Sequence, residues 1–340
     1  MPLPLILGIG AAIAGVAGVV SGAAGISLTK DANDTMNRAK NKYNSAQRKI
    51  DEASKTATDK MDELGNLEVE IIASFQRFLD AFEKVKNRPE IEEIDTKAAN
   101  IPKISLSELK DASIGASALA SSLASAAVGT AGGFAAYGGI LSAALTFGTA
   151  TTGTAISTLS GAAATNAAMA FLGGGALTAA GGLGVAGGTA LLADAATGVG
   201  LLVGGFALGL AGGAMSSKAD EAYSQACDAE EKADKACGYL HELQDYTNKY
   251  IISLNKVNTP YLSLLERFEE IVNTKRDYNY FTASEKMLTE NLVLLIGLLY
   301  SMCKVQLVLK SDNENDMNTV NKNGVDSAIQ NADDALYDIA

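Results

Sequence analysis

The chain has no tryptophan, one histidine, three cysteines and five prolines among 340 residues. His241 is the only histidine available to a Ser-His-Asp or Cys-His centre. It lies in a charged heptad segment with no nucleophile-elbow pattern around it, so nucleophilic catalysis, and an enzyme of that kind, is not expected. Cys227, Cys237 and Cys303 are odd in number and not closely paired, which argues against a disulfide scaffold and fits a reducing compartment. Cys237 and His241 stand four apart on a helical pattern, but a structural zinc site takes four ligands at recognisable spacing. No metal or cofactor is expected, and Cys237 reads as a residue of a helix seam. There is no GxxxxGK[ST], and Gly182-Leu183-Gly184-Val185-Ala186-Gly187 meets GxGxxG only as one of many chance matches in a glycine-rich block.

Charge is missing from whole stretches. Residues 1–29 carry none and residues 112–217 carry one, Asp194, so these 135 residues hold one of the chain's 66 charged side chains. A water-soluble surface cannot be built from such material, which makes an ordinary soluble enzyme a poor expectation. The net charge is −12, distributed as −2 over residues 30–111 and −9 over 218–340. With no basic patch to meet phosphates, nucleic acid is not an expected partner. No Lys or Arg precedes Lys30, so a cleavable signal peptide is disfavoured, with export by another route left open.

What is present separates into segments: an apolar N-terminal helix at 1–29, a long heptad helix at 30–87 and a connector at 88–111. A Gly/Ala-rich membrane-active head follows at 112–217, then a helical bundle arm at 218–310 and a polar acidic tail at 311–340. The run Leu3–Leu28 exceeds the roughly 20 apolar residues that span a bilayer, and Gly18 and Gly22 have the small-xxx-small spacing of close helix contacts in lipid. Met36, Tyr43, Ile50, Ala57, Leu64, Ile71, Phe78 and Val85 recur every seven residues, with Ala39, Ala46 and Ala53 at the complementary position. That predicts a coiled-coil-like helix of roughly 80 Å, ended by Arg88-Pro89. Ala222, Ala226, Ala229, Ala233, Ala236, Leu240 and Leu243 repeat the pattern, which resumes at Tyr250, Leu254 and Val257 before Pro260 interrupts it. Two such helices flanking one apolar block are expected to pair antiparallel, with the block at the tip. Thr282 and Glu285 form a capping-box pattern ahead of the uncharged run Asn291–Cys303, which suits a buried bundle helix. A short amphipathic piece is expected at Val325–Ile339.

The head holds 24 of the 34 glycines. The pairs Gly200/Gly204, Gly205/Gly209 and Gly209/Gly213 suit close packing in a membrane. Ala, Gly, Ser and Thr contribute little transfer energy, so these helices lie near the threshold of insertion. Two readings stand: a segment packed on protein in one state and on lipid in another, or a permanently inserted bundle. Asp194 reads as a turn between helices or as a lumen position. Thr146, Thr149, Thr151, Thr152 and Thr154 offer hydroxyls to line water.

The heptads at 36–85, the apolar block at 112–217 and the heptads at 222–257 together resemble the cytolysin A-type and haemolysin-B-type α-helical pore-forming toxins. The stretch Ala164-Thr165-Asn166-Ala167-Ala168-Met169-Ala170-Phe171-Leu172-Gly173-Gly174-Gly175 is similar in texture to cassettes of uncharacterised bacterial proteins and of the apolipoprotein-L group. The resemblance implies a membrane-active head between long helices. The expected fold is all-α, an antiparallel coiled-coil or bundle stalk with a transmembrane-type head. The expected partners are a lipid bilayer and further copies or related helical subunits, and the expected location is at a membrane, with solubility before insertion left open. A constitutive membrane scaffold or tether, and a soluble helical protein that buries the head in an oligomer, are the alternatives.

Overall fold

A computed structural model describes residues 23–91, 104–125, 219–309 and 317–339. They form α1 (Ala23–Phe82), α2 (Leu106–Ser125), α3 (Ala219–Thr274), α4 (Ala283–Met302) and α5 (Lys322–Ile339). Two strands of two residues, β1 (Val308–Leu309) and β2 (Thr319–Val320), pair ahead of α5. The described chain is therefore almost entirely helical, as the periodicity implies. It divides into two compact units: Met1–Ala57 with Val203–Glu242 and Lys310–Thr319, and Thr58–Leu202 with Leu243–Leu309 and Val320–Ala340.

In the first unit, α1 and α3 meet through alanine. Ala39, Ala222 and Ala226 form one fully buried cluster, flanked by Met36 and Tyr43. The seam continues through buried Ala46, Ile50, Ala53 and Ala57 on α1 and Ala229, Ala233, Ala236 and Leu240 on α3. A methyl group at each contact lets the two backbones approach more closely than leucine seams allow. Lys42 pairs with Glu230, and Lys49 with Asp234 at 2.8 Å. Partner numbers rise together along the two helices, so they run parallel.

The second unit has larger side chains and the same direction. Met61 faces Thr247, Phe75 meets Tyr261 edge-on at 5.9 Å, and Phe268 lies 5.7 and 6.4 Å from Phe78 and Phe82. Where the two helices end, Lys86 and Asp277 form a parallel β-bridge. The expected antiparallel hairpin is thus corrected to a parallel pair. Heptads fix which faces meet and are indifferent to direction, whereas side-chain register settles it.

Three further elements pack on this pair in the second unit. α2 runs antiparallel to α1, with Lys110 paired to Glu83 at 3.2 Å and Ser113 bonded to Gln76 at 3.0 Å. α4 runs antiparallel to α3 between the Lys275–Glu285 ion pair and a Tyr250–Met302 hydrogen bond. Its residues 292–300 are all buried, in keeping with the uncharged run in the sequence. The Thr282/Glu285 capping box is formed, satisfying two amides at the first turn. α5 lies along α3, tied by Lys249–Asp326 and Lys256–Asp333, both 2.5 Å and one heptad apart.

Several boundaries shift. α1 already includes residues 23–29, ahead of the expected heptad segment, and ends at Phe82, before the expected stop at Arg88-Pro89. The backbone of Lys86 is claimed by Arg276 and Tyr278, and Asn87 adopts φ 53°, a left-handed conformation that asparagine tolerates. α3 passes through Pro260 without a break in its assignment, because packing on both sides outweighs the single lost amide bond. α2 begins inside the expected connector, and the expected tail carries β2 and α5.

Candidate functional site

The residues that the sequence marks for membrane packing, Gly18, Gly22, Gly200, Gly204, Gly205, Gly209 and Gly213, lie outside the described residues, as does Asp194. So do the threonines at 146–154, the run at 1–22 and the head beyond Ser125. Among the described residues no helix is long and apolar enough to cross a membrane. What the structure does place is the machinery on either side of the head: the ends of α2 and α3, and the helices against which they pack.

The entry to the head is anchored through α2. Ser105 accepts a hydrogen bond from the amide of Glu108 at 3.1 Å, capping the first turn. Leu109, Ala112 and Ala116 are fully buried, and Leu119 nearly so. Glu108 accepts a hydrogen bond from the hydroxyl of Tyr300 on α4, and Lys304 lies 3.6 Å from the same carboxylate while its ammonium covers the Tyr300 ring at 4.2 Å. Burial, with the hydrogen bond and charge of Glu108 added, holds the Tyr300 hydroxyl far above the ordinary phenol range, so it stays a donor. This cluster ties the head's first helix to the α4 core. The exit from the head is the N-terminal end of α3, in the alanine seam of the first unit.

Cys237 is half-buried on α3, and burial raises its thiol. His241, one turn further, is exposed. Among the described residues no group of three His, Cys, Asp or Glu side chains could hold a metal ion. Cys303 is fully buried at the C-cap of α4, and burial together with the charge of Glu68 pushes its thiol well above the ordinary range. Cys237 and Cys303 are therefore both held above the ordinary thiol range, opposite to the lowered thiol pKa of a nucleophile or ligand site.

Glu68 is the residue that sequence reasoning passed over. It stands on α1 one turn beyond Leu64 and one turn before Ile72, so helical spacing puts a carboxyl on the core face. Its exposure is 0%, and among the described residues neither carboxyl oxygen has a hydrogen-bond partner. Burial of this kind penalises the charged form, and it holds the Glu68 carboxyl well above the usual carboxylate range. Buried carboxyls with no partner are rare because even the neutral acid forfeits its bonds to water.

No family model, curated protein or solved structure matches this chain.

Proposed function

We propose that this is a membrane-inserting α-helical protein that permeabilises a bilayer when several copies bring their 112–217 heads together. The observation that carries the reading is the single charge among those 106 residues. Water cannot be kept from so much apolar surface without either a lipid phase or extensive burial in protein. The glycine pairs at 200–213 allow close helix contacts inside that phase, and the threonines at 146–154 supply hydroxyls to a water-filled path. The long helices on either side hold the head in position and supply the contacts through which copies assemble.

Dye release from liposomes tests this reading. Purified full-length chain releases an entrapped fluorophore, and a variant lacking 126–217 does not. A stably folded full-length protein that leaves vesicles intact at every protein-to-lipid ratio overturns it.

The same glycine spacing also favours a second reading, a head inserted permanently at synthesis with the helical arms as a scaffold. Alkaline carbonate extraction separates the two. Protein that is soluble before it meets lipid belongs to the first, and protein that resists extraction without prior treatment belongs to the second.

A further inference from the structure

Glu68 is placed where a structural residue would be apolar. Around it on α1, Leu64, Ile71, Ile72 and Phe75 are all at or below 1% exposure, and each of them gains from burial what Glu68 loses. Facing it are Tyr250 of α3, whose hydroxyl is spent on the Met302 carbonyl at 2.7 Å, and Cys303 at the end of α4. Both groups are held neutral by burial, and the charge of Glu68 pushes each further that way, so neither balances a carboxylate. On the surrounding elements, Lys249, Lys256 and Lys304 are engaged by Asp326, Asp333 and Glu108. Among the described residues no cation is in place to pair with Glu68 if it ionises.

We propose that Glu68 is a proton-operated latch on the α1–α3–α4 core of the second unit, closed while the carboxyl is protonated and loosened when it ionises. On ionisation the O–H bond of the acid breaks, the proton passes to water or buffer, and the carboxylate is left without a partner in an apolar setting. The carboxylate regains hydration only if the helices around it separate. Separation uncovers the uncharged run Asn291–Cys303 of α4 and frees the Tyr300–Glu108 anchor of α2, the helix that leads into the head. Loosening the latch therefore releases the head's first helix from the core. The connection to membrane entry rests on the function proposed above, whereas the latch itself does not.

The sign follows from linkage. A carboxyl whose pKa is higher in the folded than in the unfolded chain favours folding most fully in acid. That advantage is lost as the pH climbs from the unfolded value toward the folded one, at about tenfold in the folding equilibrium per pH unit.

The experiment follows unfolding of the full chain between pH 4.5 and 9 for wild type, Glu68→Gln and Glu68→Leu. Glutamine imitates the protonated acid and cannot ionise. The expected result is that Glu68→Gln matches wild type near pH 4.5 and becomes progressively more stable than it above, with a flatter pH profile. Protection of the α4 amides, taken relative to the intrinsic exchange rate at each pH, falls with pH in wild type and stays level in Glu68→Gln. A constant offset between the two profiles, or a Glu68→Gln variant less stable at pH 8, overturns the latch. Should Glu68→Leu fail to fold, the glutamine comparison alone decides. Vesicles of phosphatidylcholine and phosphatidylglycerol give the second arm. Release that increases from pH 6 to pH 8 in wild type and not in Glu68→Gln supports coupling of latch to head. Release from neither protein, with the stability profiles as expected, overturns the membrane reading and leaves the latch standing.

Discussion

Phe268 on α3 is fully buried, and its ring lies 5.7 Å from Phe78 and 6.4 Å from Phe82, themselves stacked at 5.1 Å. Replacing it by alanine removes the ring from both contacts and leaves a cavity that neighbouring rings cannot fill without losing their own geometry. Phe→Ala substitutions at such sites cost about 3–5 kcal/mol. With a urea slope of about 2–3 kcal/mol per molar, the unfolding midpoint moves down by roughly 1–2.5 M. Ile252 on the same helix is 61% exposed and serves as the control, since Ile252→Ala stays within about 0.5 kcal/mol of wild type. The contact itself is read by a double-mutant cycle between Phe78→Leu and Phe268→Leu, where an aromatic pair contributes about 0.5–1.5 kcal/mol of coupling. Far-UV circular dichroism in urea measures all of these variants. Strict additivity of the two leucine substitutions, or a Phe268→Ala midpoint no lower than that of Ile252→Ala, would refute the parallel register that sets those rings together.

Three other expectations rest on separate observations. In the first unit, Lys49→Cys with Asp234→Cys, in a background freed of the three native cysteines, is joined by a short bis-maleimide linker, because those side chains meet at 2.8 Å; no intramolecular cross-link would mean that the helices do not run parallel there. Tyr250→Phe loses the hydrogen bond to the buried Met302 carbonyl and lowers stability by about 1–3 kcal/mol in denaturant titration, and a neutral result would show that carbonyl to be satisfied otherwise. Lys275, with the capping amide of Thr282 next, holds the Glu285 carboxyl below its ordinary range. Its stabilising contribution is present above the ordinary carboxylate pKa and is lost as the pH falls through the lowered value, so Glu285→Gln flattens the acid limb of a thermal-stability profile. An unchanged acid limb would remove Glu285 from that role.

Much of the helix pattern was legible because period is a property of sequence. The positions from Ile50 to Val85 at seven-residue intervals, and the alanines from 222 to 236, are the residues that the structure buries. Direction was not legible, since a seam of alanines and leucines reads the same in either sense. Only pairs such as Lys42–Glu230 and Arg77–Glu269 distinguish the two, and each is visible only once the fold has chosen a register. The start of α2 was legible in principle: Ser105 and Glu108 have capping-box spacing, obscured by the two prolines upstream. β1 and β2, two residues each, are too short to leave an alternation. Glu68 carried a signal too, an acid spaced by one turn from Leu64 and Ile72. It passed unnoticed because the strict sevenfold repeat runs through Leu64 and Ile71, while burial in the second unit extends to a wider face of α1. Such widening occurs where α1 meets several helices in place of one, which a single sequence does not announce.

The proposed function requires the stretch 112–217 to meet acyl chains. A photoactivatable, tail-labelled phospholipid in vesicles treated with the full chain, followed by peptide mapping, tests that contact directly. Lipid adducts are expected to concentrate on peptides from 112–217. Adducts absent from that stretch, while the protein is bound to the vesicles and labelled elsewhere, would contradict it.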